Sequence, residues 1–159
     1  IKVPKVNESA LKVGLTWSSE HKDTYRRKVC SLSKLSKLFK NLNYTFYGIQ
    51  FGNEHNQLES YTHLSNVFDL GDKLGDFAHT AAIINQLDLI ISIDTYIVHL
   101  AGAMGIRTWV LLPFSPDWRW QLNRSDSPWY PSIKLFRQPK PGDWDSVVMD
   151  IKNTLETNL

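Results

Sequence analysis

The 159-residue sequence contains one cysteine, Cys30, and lacks any group of cysteines and histidines with zinc-site spacing. One cysteine cannot form an internal disulfide, so we expect a protein of the reducing cytoplasm. No segment approaches the roughly eighteen consecutive apolar residues of a transmembrane helix, which predicts no membrane span. The 18 basic and 16 acidic side chains nearly balance, and this argues against a nucleic-acid-binding protein.

Familiar nucleotide-binding and nucleophile motifs are also absent. No G-x-G-x-x-G follows a strand, and neither G-x-x-x-x-G-K-[S/T] nor G-x-S-x-G occurs. Cys30 has no convincing histidine partner, and the five histidines do not pair at i, i+4. We therefore predict no dinucleotide fingerprint, P-loop, covalent nucleophile or metal site, and no cofactor.

Segments of strand character alternate along the chain with segments of helical periodicity. Strands are predicted at residues 12–17, 44–50, 67–70, 88–92, 108–112 and 133–136. Helices are predicted at residues 31–42, from an Asp76 cap through 87, from 94 or 95 to 105, and from about 144 behind an Asp143 cap. The predicted inward stripes of the first two helices include Leu42 and Phe77.

This alternation predicts an α/β fold: a three-layer α/β/α Rossmann-like domain with a mainly parallel sheet. Residues 88–92 are apolar on both faces, which places that strand near the sheet centre. The chain begins at Ile1 rather than a methionine, so we interpret it as part of a longer protein.

A ligand site is expected beyond the carboxyl ends of the strands, as in open parallel sheets generally. The strand at 88–92 runs into a helix that opens Asp94-Thr95-Tyr96, whose free amides and dipole suit an anion. Asp94 can equally be a plain N-cap that satisfies those amides itself. His99 lies one turn beyond Thr95, and it is either a satisfied core histidine or a residue of the site.

The segment 113–131 is too long and too aromatic for a plain connection. If it only packs against the domain, its tryptophans should be buried and Arg119 should pair with a nearby carboxylate or carbonyl. If it lines the site, Arg119 should point toward the space above Thr95 and offer planar donors to phosphate. We favour the second interpretation for Arg119 and the packing interpretation for Trp129.

Several stretches resemble the C-terminal domain of family 9 (heptosyltransferase-like) glycosyltransferases. They are D-F-A-H-T-A-A from Asp76, L-D-L-I-I-S-I-D-T at 87–95 and H-L-A-G-A-M-G at 99–105. The continuation L-L-P-F-S-P-D-W-R-W at 111–120, D-S-P-W-Y-P at 126–131 and L-F-R-Q at 135–138 is similar to glycosyltransferase modules that follow tetratricopeptide repeats in bacterial proteins. The resemblance covers roughly residues 12–155.

The resemblance implies one half of a GT-B fold, with residues 12–159 as the C-terminal nucleotide-sugar-binding domain and 1–11 as a linker or the end of a preceding region. The implied activity is an inverting, metal-independent hexosyl or heptosyl transfer from a nucleotide-diphosphate sugar. The catalytic base would then belong to an N-terminal domain of the same parent chain, and none of these residues would be catalytic.

The resemblance also implies roles for individual residues. Those matching the donor-phosphate region of the family are Asp94, Thr95, Tyr96 and His99. The loop after the first strand, where related enzymes often supply a cation to the diphosphate, contains Lys22, Asp23, Arg26 and Arg27. Asp76 and Thr80 begin the helix that commonly borders the nucleoside.

Two alternatives remain at this point. A degenerate module that binds a glycan or a partner without catalysis is favoured by Trp17-Ser18-Ser19-Glu20, which departs from the W-x-G-N-P of the tetratricopeptide-associated branch. An unrelated flavodoxin-like receiver or interaction domain would require the D-W-R-W segment to be core packing only.

Overall fold

Six strands form one sheet in the order β3-β2-β1-β4-β5-β6, and every neighbouring pair is parallel. The structure is a computed structural model that describes residues 2–4, 7–19 and 26–157. The strands are β1 (Leu11–Thr16), β2 (Tyr44–Gly48), β3 (Val67–Asp69), β4 (Leu89–Ile93), β5 (Thr108–Leu112) and β6 (Ile133–Arg137). The predicted Rossmann-like α/β fold is confirmed.

Helices cover both faces of the sheet. They are α1 (Leu32–Leu35), α2 (Phe77–Ile84), α3 (Tyr96–Ala103) and α4 (Trp144–Thr157). One core cluster joins α1 and α4 to one face, and a second joins α2 and α3 to the other. Short 3₁₀ segments include Ser36–Lys40, Asn53–Tyr61 and Trp118–Trp120.

The side chains of β4 explain why this strand lies inside the sheet. Leu89, Ile91 and Ile93 belong to the α1/α4 core, whereas Ile90 belongs to the α2/α3 core. Because successive strand residues point to opposite faces, apolar residues at consecutive positions fit a strand that is covered on both sides. The predicted central position is confirmed, since β4 pairs with β1 and β5.

Two predicted core residues lie at the surface. Leu42 and Phe77 are each 68% exposed. The first predicted helix tightens into the 3₁₀ segment Ser36–Lys40 after one α turn, so the 3.6-residue period ends before Leu42. In α2 the buried residues are Thr80, Ile83 and Ile84, which leaves Phe77 on the outside of the first turn. The predicted Asp76 and Asp143 caps are confirmed by bonds from the amides of His79 and Ser146.

Cys30 lies in the α1/α4 core, where its amide donates to the carbonyl of Trp17 and returns the chain to the end of β1. Burial raises the pKa of its thiol to about 12. The thiol is therefore protonated at neutral pH.

His55 connects the 3₁₀ segment Asn53–Tyr61 to the end of β3. Its Nδ1 lies 2.6 Å from Asp69 Oδ2 and its Nε2 lies 3.2 Å from Asp72 Oδ1. The hydrogen bond with Asp69 is the main cause that raises the pKa of His55, and the charges of Asp69, Asp72 and Glu59 raise it further. Folded protein therefore holds this proton more tightly than unfolded protein does.

We expect the free energy of unfolding to decrease as pH rises through the elevated pKa of His55. The stabilising contribution is complete below about pH 6.5, the ordinary pKa of histidine. It decreases as pH rises from there and is gone once pH has passed the elevated pKa of the folded protein. Urea titrations at several pH values measure this. His55→Gln should reduce the change of unfolding free energy with pH. His63→Gln, at an exposed histidine that also lies between β2 and β3, should leave that pH dependence as it is in the natural protein. An unchanged slope in His55→Gln would contradict the expectation.

Candidate functional site

A cleft of about 590 Å³ lies beyond the carboxyl ends of four strands, at the predicted edge of the sheet. Most of its lining residues lie at or just after the ends of β1, β2, β4 and β5, and Lys28 comes from the 3₁₀ turn Arg26–Lys28. The lining residues are Thr16, Ser18, Ser19, Lys28, Gln50, Phe51, Asp94, Thr95, Tyr96, Ile97, His99, Asp117 and Arg119. The structure thus brings together Asp94, Thr95, Tyr96, His99 and Arg119 of the predicted site.

The start of α3 forms the floor of this cleft. Thr95 is the N-cap, in extended conformation, and its side chain accepts no hydrogen bond from the first-turn amides. Asp94 does not cap the helix either, because its carboxylate bonds to Lys28 Nζ at 2.7 Å. The N-cap of α3 is Thr95, so the interpretation of Asp94 as a plain N-cap is wrong, and no side chain of the described residues caps the first-turn amides.

Lys28 is a residue of the cleft that the sequence did not single out. The side chains of Lys28 and Asp94 are only 14% and 8% exposed. Arg26 and Arg27 belong to the same 3₁₀ turn, are exposed, and are not among the described residues that line the cleft. Lys22 and Asp23 lie outside the described residues. Lys28 meets the site through its ion pair with Asp94, 66 residues further along the chain, and no sequence pattern indicates that contact.

His99 is both partnered and part of the cleft. Its ring stacks on Trp120 at a centroid distance of 5.5 Å and an angle of 22°. Its Nδ1 is 3.3 Å from the Tyr130 hydroxyl, and its Nε2 is 4.0 Å from Asp94 Oδ1. The two interpretations of His99 are therefore not exclusive, since one side of the ring packs and another faces the site.

Arg119 likewise combines the two predicted behaviours. Asp117 accepts bonds from its backbone amide at 3.0 Å and its guanidinium at 2.8 Å, and both residues line the cleft. The bond from the Arg119 amide is the main cause that lowers the pKa of Asp117, so this carboxyl is ionised at neutral pH.

The tryptophans of segment 113–131 do not all pack against the domain. Trp118 and Trp129 are 72% and 58% exposed, whereas Trp120 is fully buried. The packing interpretation of Trp129 is wrong: its indole Nε1 donates to the Arg119 carbonyl at 3.0 Å while most of the ring meets solvent. That bond ties two parts of the segment together without burying the ring.

A second, apolar lobe of about 400 Å³ shares Phe51 and Tyr96 with the cleft. Phe77 meets Tyr96 edge to face at 5.4 Å, so the predicted core residue Phe77 is instead a wall of this lobe. Asp76 and Thr80 also line it, although their side chains bond to the backbone of α2. The bond from the His79 amide is the main cause that lowers the pKa of Asp76.

Metal-binding clusters and membrane-spanning helices are both absent from residues 2–4, 7–19 and 26–157. No group of three or more His, Cys, Asp or Glu side chains there could hold a metal ion. No helix in the same ranges has the length and apolarity needed to cross a membrane.

No protein-family model matches the sequence, and no curated protein matches it. Solved structures do match. E. coli heptosyltransferase WaaC with ADP-2-deoxy-2-fluoro heptose superposes with a TM-score of 0.69 at 12% identity, over 97% of this chain and 45% of that one. E. coli ADP-heptose LPS heptosyltransferase II superposes with a TM-score of 0.62 at 14% identity, over 94% of this chain and 48% of that one.

A family 9 glycosyltransferase from Veillonella parvula gives a TM-score of 0.57 at 14% identity, over 96% of this chain and 40% of that one. The chain therefore spans less than half the length of the solved structures it matches. At these identities the similarity concerns the fold. The chain has the Rossmann-like α/β/α fold that is found within family 9 glycosyltransferases of GT-B architecture.

Proposed function

We propose that this chain is the donor-binding half of an inverting glycosyltransferase and holds a nucleoside-diphosphate sugar in its two-lobed cleft. The observation that carries the proposal is that the apolar lobe directly adjoins the polar lobe, which is the 590 Å³ cleft described above, at the start of α3. A nucleotide needs an apolar environment for its flat base and, next to it, a polar environment for its anionic diphosphate. WaaC, which shares the fold, has been solved with ADP and with ADP-2-deoxy-2-fluoro heptose.

The base would lie against Phe51, Phe77 and Tyr96, whose rings form the apolar lobe. Tyr96 belongs to both lobes and marks where the nucleotide would pass from one to the other. Asp76 and Thr80 would act at the nucleoside end mainly by fixing the first turn of α2, because their side chains bond to its backbone.

The diphosphate would meet the first amides of α3, the Lys28 ammonium and the Arg119 guanidinium. Helix-start amides and planar guanidinium donors both suit phosphate oxygens. Each cation already has a carboxylate partner, Asp94 for Lys28 and Asp117 for Arg119. These carboxylates fix the positions of the cations, and the incoming phosphates would compete with them.

In the proposed reaction an acceptor oxygen attacks the anomeric carbon while the bond from that carbon to the diphosphate oxygen breaks. Negative charge builds on the departing diphosphate, and fixed donors that face it lower the barrier. We propose metal independence because Lys28, Arg119 and the α3 amides are placed to take up this charge. The base that receives the acceptor proton would come from an N-terminal domain of the parent chain.

The biological setting is proposed on the sequence resemblance. Residues 12–159 would form the C-terminal domain of a cytoplasmic bacterial protein in which residues 1–11 lead in from a preceding region. Lys22 and Arg26 remain predicted phosphate contacts, carried by the resemblance alone. The D-W-R-W and S-P-W-Y-P segments are the basis for the proposed link to tetratricopeptide-repeat glycosyltransferases.

Calorimetry with ADP tests the proposal. We expect one site with a Kd below about 1 mM, in the range of ordinary enzyme–substrate affinities. Adenosine and pyrophosphate should each bind more weakly, because each fills one lobe. The chain alone should transfer no sugar, since the expected base is in the other half. If ADP, UDP, GDP and CDP all fail to bind at about 1 mM, the proposal is wrong.

A non-catalytic glycan- or partner-binding module is the second candidate, and the exposed Trp118 and Trp129 rings favour it. Exposed aromatic rings that are held in place suit the apolar faces of sugars. This candidate predicts oligosaccharide binding that is abolished by Trp118→Ala and insensitive to ADP. Competition between ADP and the glycan would instead favour the donor site.

A further inference from the structure

The imidazole of His99 is held by two aromatic residues of the loop 113–131. Trp120, which is fully buried, stacks on one face of the ring. Tyr130 meets it edge to face at 5.8 Å and 61°, with its hydroxyl 3.3 Å from Nδ1. The side of the ring that carries Nε2 faces Asp94 and the cleft. His99 therefore has a fixed orientation with one nitrogen for the loop and one for the site.

Tyr130 is itself held firmly. Its ring lies on Gly102 of α3, where a Cβ atom would come within 2.6 Å of the ring. Its amide and that of Trp129 lie 3.3 and 3.2 Å from the hydroxyl oxygen of Ser127, and its carbonyl accepts from Ile133 at 3.1 Å. Because these contacts fix both the ring and the backbone of Tyr130, they also fix the position of its hydroxyl beside His99.

A neutral imidazole carries one proton, on either nitrogen, and the neighbours decide which. The Nε2 atom is 4.0 Å from Asp94 Oδ1. A lone pair on Nε2 would be repelled by that carboxylate, whereas a proton there is attracted to it. With the proton on Nε2, the lone pair of Nδ1 accepts a hydrogen bond from the Tyr130 hydroxyl.

We infer that Tyr130 is a positioning residue that holds neutral His99 as the Nε2–H tautomer, with that proton directed to the cleft. His99 then donates to a ligand oxygen and cannot accept from one. The consequence for donor binding rests on the proposed function: Nε2–H would donate to a diphosphate oxygen. The tautomer itself does not rest on it.

Nitrogen-15 NMR of the imidazole groups tests the inference on this chain without any ligand. At about pH 8.5, above the ordinary range for histidine, His99 should show a protonated Nε2 and an unprotonated Nδ1. His99→Gln assigns its signals. In Tyr130→Phe the ring over Gly102 is kept and only the hydroxyl is lost, so the Nδ1 signal should move downfield toward a free acceptor nitrogen.

Tyr61→Phe is the matched control, because Tyr61 packs against the α1/α4 core on the other face of the sheet. It should leave the His99 signals unchanged. A protonated Nδ1 in the natural protein would overturn the inference. An Nδ1 signal that is the same in Tyr130→Phe as in the natural protein would overturn it too.

ADP affinity separates this inference from the proposed function. If both hold, Tyr130→Phe weakens ADP binding a few-fold, and the effect disappears in a His99→Ala background because Tyr130 acts through His99. If the NMR result is as expected and ADP does not bind, the tautomer stands and the donor site does not. If Tyr130→Phe weakens ADP equally with and without His99, Tyr130 does not act through His99.

Discussion

Replacing Lys28 with methionine is expected to weaken ADP binding roughly tenfold to a hundredfold, the range of one charge-assisted hydrogen bond. Of the two described cations that line the polar lobe, Lys28 is more withdrawn from water than Arg119, so solvent screens its charge less. Methionine retains a similar stem and removes the charge. Calorimetric titration of ADP into natural and variant protein measures the ratio of Kd values.

Three further variants make that result specific. Arg27→Met removes a neighbouring cation that does not line the cleft, and ADP affinity should not change. Asp94→Asn removes an anion beside the diphosphate but also the partner that fixes Lys28, so its ADP affinity, compared with that of Lys28→Met/Asp94→Asn, measures what Lys28 contributes in the absence of the carboxylate. Lys28→Met leaves the nearly buried Asp94 carboxylate without its lysine partner, which can destabilise the fold. The double variant Lys28→Met/Asp94→Asn removes that charge as well and should restore the stability. Equal losses of affinity in Lys28→Met and Arg27→Met would show that only the general positive charge matters.

Trp120→Ala is expected to lower the free energy of unfolding by about 3–5 kcal/mol, the usual loss for a buried large aromatic side chain. The indole is fully buried in a cluster with Val98 of α3, Val110 and Leu112 of β5 and the β6 residues Ile133 and Leu135. Its removal opens a cavity between α3, the sheet and the loop 113–131. Denaturant titration followed by circular dichroism measures the change.

Trp118→Ala is the matched control, two residues away and largely exposed. It removes the same atoms from a site with little packing, so the free energy of unfolding should change by no more than about 0.5 kcal/mol. Similar losses in the two variants would mean that Trp118 is packed in solution. A small loss in Trp120→Ala would mean that the loop does not complete the core.

The strands were predictable because their pattern is strong and local. Leu89, Ile90 and Ile91 are apolar at consecutive positions. Consecutive apolar residues point to both faces of a sheet, so this strand fits the centre of a parallel sheet that helices cover on both sides. Helix detail was less predictable. The tightening of the first helix at Ser36 and the outward rotation of Phe77 follow from tertiary packing, which the 3.6-residue period does not include.

The candidate site was predictable where it coincides with a strand end. Asp94 to Tyr96 could be placed from topology alone, since β4 must deliver them to the ligand edge. Lys28 could not, because its contact with Asp94 joins residues 66 positions apart in the chain. The dual role of His99 was also beyond the sequence, because its partner Tyr130 lies 31 residues further along the chain. For Arg119 the sequence indicated each behaviour but not their combination.

The burial of Cys30 makes the chain convenient for site-specific labelling. Burial raises the pKa of its thiol to about 12, so Cys30 carries very little thiolate at pH 7, and maleimides react with thiolates. A cysteine introduced at Phe77, which is exposed and lines the apolar lobe, would therefore be the only reactive thiol. A fluorophore or spin label at that position can report on ligands without replacing the native cysteine.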